Sequence, residues 1–140
     1  MNFDENCFYC SKNEALDSLM IKICDLEVST VYLFKEQTYR GRCNVVFKEH
    51  KSEITDLTEE EAKAFMNDVR KVAKAIQKAF NPDKINYGAF ADTMQHLHFH
   101  LVPKYKDGAD WGRMFEMNPG KRLLNEEEYD ELVATIKGLC

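Results

Sequence analysis

Residues 96–103 read His-Leu-His-Phe-His-Leu-Val-Pro, and this stretch contains three of the four histidines in the chain. The alternation with apolar residues predicts a β-strand, in which successive side chains point to opposite faces. His96, His98 and His100 then share one face, with neighbouring imidazoles about 6.6 Å apart along the backbone. His98 is flanked by an imidazole on each side and is therefore the best-placed group for chemistry. The clustering favours a functional site over a strand face with incidental polarity.

The segments around this strand predict an α+β domain. Val28–Phe34 and Cys43–Phe47 are rich in β-branched and aromatic residues and are read as strands, and a third strand covers residues 85–90. The link of residues 91–95 is too short for a parallel crossover, so the strands on either side of it should pair antiparallel. Strands segregated from helices are typical of the α+β class.

Two helices are predicted from capping patterns. Thr58, with Glu61 three residues later, should begin a long helix that ends before Asn81-Pro82, and Asn125 should begin a C-terminal helix. The apolar residues at helical spacing in the long helix are assigned to the core: Ala62, Phe65, Met66, Val69, Val72, Ala73, Ile76 and Phe80. The polar residues between them are assigned to the solvated face: Lys63, Asp68, Arg70, Lys71 and Lys74.

Length and charge narrow the function classes. A chain of 140 residues predicts one domain spanning residues 1–140. The net charge of -5 argues against a general binder of nucleic acid polymers, which would normally have a basic face. There is no membrane-length apolar run and no signal-peptide pattern at the start, so no membrane partner and a cytoplasmic location are expected.

Cys7 and Cys10 have the two-residue gap of a metal knuckle or a redox pair. The βαβ context of a thioredoxin-like redox pair is missing, so a structural zinc site is the preferred interpretation. Zinc favours four tetrahedral thiolate and imidazole ligands, and His50 and His96 would complete a Cys2His2 set. His98 and His100 would then remain free for catalysis.

A neutral imidazole such as that of His98 can act as a metal ligand or as a nucleophile. Attack on a phosphate suits it, because a covalent histidine intermediate divides one difficult displacement into two steps. His100 would orient the phosphate or donate to it. Asn86 and Thr93, just upstream, offer an amide and a hydroxyl as further phosphate donors.

The string His96 to Pro103 resembles the signature of the histidine triad (HIT) family, in which three histidines alternate with apolar residues. The resemblance covers nearly the whole chain, including Cys7 to Cys10 and the Asn86-Tyr87-Gly88 segment. It implies an antiparallel sheet of about five strands with one long central helix and a C-terminal helix. It also implies a homodimer that hydrolyses or transfers nucleotides at the α-phosphate, with adenosine phosphoramidates and diadenosine polyphosphates as substrates.

The resemblance also implies roles for particular residues. His98 is the expected nucleophile, which forms a nucleotidyl-histidine, and His100 is the histidine that assists the phosphate. The expected zinc ligands are Cys7, Cys10, His50 and His96. The expected nucleotide-binding residues are Asn86 and Thr93 at the phosphate and Phe8, Leu33 and Phe34 at the nucleobase.

Two departures from the family pattern bear on function. Ala91-Asp92 replaces the usual Gly-Gln before the hydroxyl residue and brings a carboxylate near the phosphate path. Gly41-Arg42 stands where many relatives have Gly-His. The second departure bears on ribose and base specificity. Because of the Asp92 carboxylate, a nucleotide-binding adaptor with negligible turnover is an alternative to an enzyme. A metalloenzyme, with a catalytic zinc held by His50 and a pair of strand histidines, is a separate and more distant alternative.

Overall fold

The computed structural model describes residues 3–140, so the first two residues of the predicted 1–140 domain lie outside the described part. Within that part, one sheet contains β1 (Met20–Asp25), β2 (Ser29–Phe34), β3 (Cys43–Phe47), β4 (Lys84–Gly88) and β5 (His98–Lys104). The helices are α1 (Phe8–Ser11), α2 (Glu14–Leu19), α3 (Glu59–Phe80) and α4 (Glu126–Lys137), and Ile54–Asp56 forms a 3-10 turn.

The strands lie in the order β1-β2-β3-β5-β4, and every neighbouring pair is antiparallel. The α+β class and the antiparallel pairing across residues 91–95 are thereby confirmed. β5 lies between β3 and β4, and His100 is paired with Asn44 on one side and Gly88 on the other. The histidine strand therefore lies inside the sheet, where backbone hydrogen bonds on both sides hold its side chains in place.

The main core fills the space between one face of the sheet and the two long helices. β2 and β3 are buried along their whole length because helices cover one face and the N-terminal segment and loops cover the other. Residues of the main core include Val31, Leu33, Val45, Leu101, Val72, Ile76 and Ile136. A smaller apolar cluster on the opposite face contains Tyr9, Met20, Tyr32, Phe34 and Val46. The histidines lie on this second face.

β1 is the strand that the sequence pattern did not identify. Its buried residues Met20 and Ile23 are three positions apart, and a register shift between Lys22 and Cys24 marks a bulge against β2. A bulge places two residues opposite one, which destroys the alternation on which a strand is recognised. The remaining strands match the predicted ones to within a few residues, although β4 ends at Gly88 and β5 begins at His98 rather than His96.

α3 begins and ends as predicted. The Thr58 side chain accepts from the Glu61 N–H at 3.1 Å, the Glu61 carboxylate accepts from the Thr58 N–H at 2.9 Å, and Asn81 ends the helix with φ of 48°. Two assignments within it are wrong. Met66 is half exposed, at the edge of the apolar stripe, and Asp68 is fully buried. The Asp68 Oδ2 accepts from the Val28 N–H and the Ser29 hydroxyl, which compensates for the loss of water at that oxygen, whereas Oδ1 is buried without a partner among the described residues.

The segment between β5 and α4 folds back over the histidine face. Lys104 is buried at the end of β5, and its ammonium donates to the carbonyls of Asp110 and Arg113 at 2.8 and 2.6 Å. The Tyr39 hydroxyl donates to Asp110 and accepts from the Glu116 N–H. These bonds secure the segment at three points. Across residues 3–140, no helix has both the length and the apolar character needed to span a membrane.

Candidate active site and metal cluster

His98 is the first residue of β5, and its imidazole is held in one orientation by the backbone. Its Nδ1 lies 2.6 Å from the carbonyl oxygen of His96, which can only accept, so Nδ1 must carry the proton. Burial lowers the pKa of His98 below its ordinary value, so the neutral imidazole has its lone pair on Nε2. This is the form of histidine that can act as a nucleophile.

A cavity of about 490 Å³ lies on the histidine face of the sheet. His98 and His100 lie in its wall together with three of the predicted nucleotide-binding residues, Phe8, Phe34 and Thr93. The rest of the lining comes from the N-terminal segment, β3, and the segments around residues 90–94 and 114–118. The cavity thus combines two neutral imidazoles, a residue with a hydroxyl group and apolar walls, as expected of a small-molecule site.

Aromatic rings surround His100. The ring centroids of Phe34, Phe90 and Phe115 lie 6.1 to 6.4 Å from that of the imidazole, and the His98 ring is 5.0 Å away. Burial first, and then electrostatic interactions with His98 and with the Arg42 guanidinium, lower the pKa of His100 to about 3. His100 is therefore neutral across the physiological pH range, with a hydrogen-bond donor on one nitrogen and an acceptor on the other.

Leu33 does not line the cavity. Next to Phe34 in β2, it points to the opposite face of the sheet and is fully buried in the main core beneath α3. The interpretation of Leu33 as a nucleobase contact is therefore corrected to a packing role.

Asn86 also lies outside the histidine cavity. On β4 it is paired with Val102, two residue pairs from the Gly88–His100 pair. It lines an adjoining cavity with Lys84, Lys104 and Trp111, and Met114 lines both cavities. Asn86 therefore lies on the same face of the sheet as His98 and His100, but farther along the strand.

The loop before the three histidines contains Ala91-Asp92, where the sequence departs from the family pattern. Ala91 has φ of 56°, a left-handed conformation that costs a residue with a Cβ roughly 1 kcal/mol and that glycine adopts freely. Asp92 and Thr93 follow it, and both line the cavity. The Asp92 carboxylate and the Thr93 hydroxyl therefore border the same space, one repelling an anionic ligand and the other offering it a donor.

Three polar residues of the site were not identified from the sequence. The Tyr9 hydroxyl accepts from the Asn44 amide at 3.2 Å, and the Asn44 Oδ1 is buried without a partner in the described part of the chain. Arg42 is fully buried beside His100. For Asn44 the available signal was a polar residue in an otherwise apolar strand, and for Arg42 it was the replacement of the histidine found in many relatives.

Cys7, Cys10, His50 and His96 converge at one end of the histidine strand. Their ligand atoms all lie within 4.8 Å of one another. Three sulfur–nitrogen separations, Cys7–His96, Cys10–His50 and Cys10–His96, are 3.4 to 3.5 Å, and the two histidine Nδ1 atoms are 3.1 Å apart. Zinc–ligand bonds of about 2.0 Å to nitrogen and 2.3 Å to sulfur give tetrahedral edges of about 3.3 to 3.8 Å. The donor set and its spacing fit a tetrahedral zinc ion.

The surroundings of the cluster also suit a metal. The Nε2 of His96 lies 2.6 Å from the Phe47 carbonyl and must donate to it, so Nδ1, which faces the two cysteines, has the free lone pair. The Nε2 of His50 lies 3.9 Å from the Asp4 carboxylate. The His96–Phe47 hydrogen bond is of the kind that orients histidine ligands in known metal sites, whereas the His50–Asp4 separation is too long for a hydrogen bond.

The HIT domain sequence profile matches residues 20–107 of the chain. The chain is 31% identical over 121 residues to Protein hit of Bacillus subtilis, a match that covers 83% of each. It is 28% identical over 111 residues to adenosine 5'-monophosphoramidase hnt1 of Schizosaccharomyces pombe, covering 76% of this chain and 83% of that protein.

Solved structures agree with the fold. The histidine triad protein of Bradyrhizobium japonicum superposes with a TM-score of 0.82 at 23% identity, covering 91% of this chain and 95% of that one. A zinc-bound histidine triad family protein of Mycobacterium smegmatis has a TM-score of 0.67 at 25% identity, covering 95% and 94%.

Proposed function

Since the chain belongs to the HIT domain family, we propose that it is a nucleotide α-phosphate hydrolase or nucleotidyl transferase that acts on adenosine phosphoramidates or diadenosine polyphosphates. The observation that carries this proposal is the 2.6 Å hydrogen bond between His98 Nδ1 and the His96 carbonyl, which leaves Nε2 as the nucleophile. The similarity to a fission yeast adenosine 5'-monophosphoramidase supports the substrate class.

In the proposed reaction, Nε2 of His98 attacks the α-phosphorus and forms a phosphorus–nitrogen bond. The bond from phosphorus to the leaving amine or phosphate breaks, and the leaving group departs with the electron pair; a leaving amine also takes a proton from solvent. Water, or a hydroxyl or phosphate acceptor in the transferase variant, then attacks the nucleotidyl-histidine, breaks the phosphorus–nitrogen bond and releases the nucleoside monophosphate or the transferred product, while the proton of an attacking water or hydroxyl passes to solvent. His98 regains its lone pair. His100 and Thr93 donate to the phosphate oxygens as negative charge grows on them.

We propose that the remaining site residues contact different parts of the nucleotide. Phe8 and Phe34 offer apolar surface to the nucleobase. Asn86 lines the adjoining cavity, so we propose that it contacts the group beyond the α-phosphate.

The proposed partner is a nucleotide, rather than a nucleic acid polymer or a membrane. The proposed assembly is a homodimer, and its proposed location is the cytoplasm.

We also propose a structural zinc ion held by Cys7, Cys10, His50 and His96, as the spacing of their ligand atoms supports. Zinc would cross-link the N-terminal segment to the start of the histidine strand. The histidine triad relative from Mycobacterium smegmatis is a zinc-bound protein, which is consistent with this role.

The test of the reaction is release of AMP from adenosine 5'-phosphoramidate and from a diadenosine polyphosphate. We expect release by the wild-type protein and none by His98→Asn, whose amide cannot form the covalent intermediate. Unchanged nucleotide affinity and melting temperature in His98→Asn would show that the variant is folded. Release at the wild-type rate by a folded His98→Asn protein would contradict the proposed mechanism.

A second candidate is a nucleotide-binding adaptor, and Asp92 is the observation that favours it. A carboxylate on the cavity wall repels the phosphate groups of a substrate. If the adaptor function is correct, the wild-type protein binds AMP but releases none from either substrate. In that case Asp92→Asn should tighten binding, and turnover should remain negligible.

A further inference from the structure

Arg42 is a buried cation in the wall behind the active-site cavity. Its side chain is 0% exposed, and its guanidinium carbon lies 4.1 Å from the centroid of the Phe34 ring and 5.3 Å from that of Phe115. Nη1 donates to the Glu116 carbonyl at 3.3 Å, and Nη2 lies 3.3 Å from Nδ1 of His100. The guanidinium is therefore held between two aromatic rings and aimed at one histidine nitrogen.

This arrangement costs stability. Among the ion pairs of residues 3–140, none involves Arg42, and its Nε has no hydrogen-bond partner there. Burial lowers the pKa of Arg42 to about 10, so the side chain still carries its charge at neutral pH. The Glu36 carboxylate acts on Arg42 only from beyond ion-pair distance. Burying a charge without an opposite charge in direct contact is unfavourable, and an apolar side chain of similar volume is often as good or better for stability. Fold stability alone does not account for arginine at this position.

The contact with His100 has a definite chemical consequence. A guanidinium has only N–H donors and no lone pair to accept a hydrogen bond. The His100 Nδ1 at 3.3 Å must therefore accept, which requires it to be unprotonated. In a neutral imidazole the proton then resides on Nε2. His98 has the opposite form, because its Nδ1 donates to the His96 carbonyl.

We propose that Arg42 is a positioning residue that holds His100 in the Nε2–H tautomer, so that His100 presents a donor to the phosphate while His98 presents a lone pair. The part of this proposal that concerns phosphate rests on the proposed function; the tautomer does not. Two neighbouring histidines on one strand are thereby given complementary roles by different backbone and side-chain partners. Without Arg42, nothing in the described contacts of Nδ1 selects one tautomer of His100.

The first measurement is the protonation state of the His100 ring nitrogens in the ¹⁵N-labelled full chain, by long-range proton–nitrogen correlation. We expect Nε2–H with unprotonated Nδ1 in the wild type and in Arg42→Lys, which retains a cationic donor. Arg42→Met has no donor and should give a mixture of tautomers. A wild-type His100 protonated on Nδ1 would overturn the proposal without reference to any variant.

The second measurement is the kinetics of AMP release by the same variants. Arg42→Met should lower kcat about 10- to 100-fold with little change in KM, and Arg42→Lys should recover part of that loss. The melting temperature of Arg42→Met should be unchanged or higher than that of the wild type, since this variant removes a buried charge. The control is Asp68→Asn, a buried polar change beneath the other face of the sheet, which should lower stability but leave kcat and the tautomer unchanged.

The two measurements separate the two proposals. Absence of turnover in the wild type, with an Arg42-dependent Nε2–H tautomer, would count against the proposed function and leave the tautomer assignment standing. Equal kcat for Arg42→Met and wild type, or the same single tautomer in both, would overturn the role of Arg42.

Discussion

Leu33 and Phe34 are adjacent in β2, but their side chains pack on opposite faces of the sheet. Leu33 is packed in the main core between the sheet and α3, whereas Phe34 lines the cavity that contains His98 and His100. The alternation of side chains along a strand produces this separation over a single peptide bond. The two residues therefore form a pair of neighbouring buried apolar positions, one in the main core and one at the cavity wall.

Truncating each of these side chains should have a different effect. Leu33→Ala should lower the free energy of unfolding by about 2 to 5 kcal/mol, because it leaves a void in the core, with little effect on KM. Phe34→Ala should raise KM for the adenosine substrate, because it removes apolar surface from the cavity wall, and it should also lower the free energy of unfolding, because Phe34 is only 5% exposed in the smaller apolar cluster. Urea denaturation and steady-state kinetics measure the two effects. A rise in KM for a folded Leu33→Ala protein would contradict the assignment of the two faces.

Loss of one of the proposed zinc ligands should destabilise the N-terminal segment. Cys7→Ala is expected to reduce zinc content from one ion per chain toward none and to lower the free energy of unfolding by several kcal/mol, since metal binding contributes directly to folding. Metal analysis and thermal denaturation before and after chelation provide the readout. Cys43→Ala is the matched control, because Cys43 is also buried but lies in the main core. Equal zinc content in Cys7→Ala and Cys43→Ala would count against the cluster.

The burial of His100 predicts a pH dependence of stability. Its pKa is lowered to about 3 in the folded protein by burial, then by His98 and Arg42, compared with about 6.5 when unfolded. Below pH 6.5 the unfolded chain binds a proton here that the folded chain does not, so stability falls as pH decreases toward 3. The loss in the free energy of unfolding that is due to His100 approaches about 1.4 kcal/mol for each unit by which the pH falls below 6.5.

His100→Gln lacks this contribution, so its stability should decrease less steeply than that of the wild type between pH 7 and pH 5. Comparing the two proteins removes the effects of other titrating groups and of metal loss, which both share. Urea denaturation at intervals of half a pH unit gives the two slopes. Parallel slopes would mean that His100 titrates normally in the folded protein.

Gly41 places Arg42 at the start of β3, and we expect it to tolerate no side chain. Its φ is 92°, and an added Cβ would lie 2.5 Å from the Phe80 ring. Gly41→Ala should therefore lower the free energy of unfolding by about 1 to 3 kcal/mol through strain and overpacking. Combining it with Phe80→Leu should restore the part that is due to the ring. Denaturation of the four proteins in this cycle separates the clash from the strain.

Much of the molecule is determined by short-range sequence patterns. The alternation in residues 96–103 identifies the histidine strand, and the pairs Thr58–Glu61 and Asn125–Glu128 mark the beginnings of the two long helices. These features depend on residues a few positions apart, whose relation is set by backbone geometry alone. The choice of His98 as the candidate nucleophile likewise follows from its place between two histidines.

Only the tertiary structure decided which polar groups are buried together. β1 escaped recognition because a bulge breaks its alternation, and Asp68 was assigned to solvent although it binds the start of β2. The contact of Arg42 with His100 joins residues 58 positions apart. Whether a buried polar group is satisfied depends on which distant segment the chain brings to it, and local periodicity holds no information about that segment.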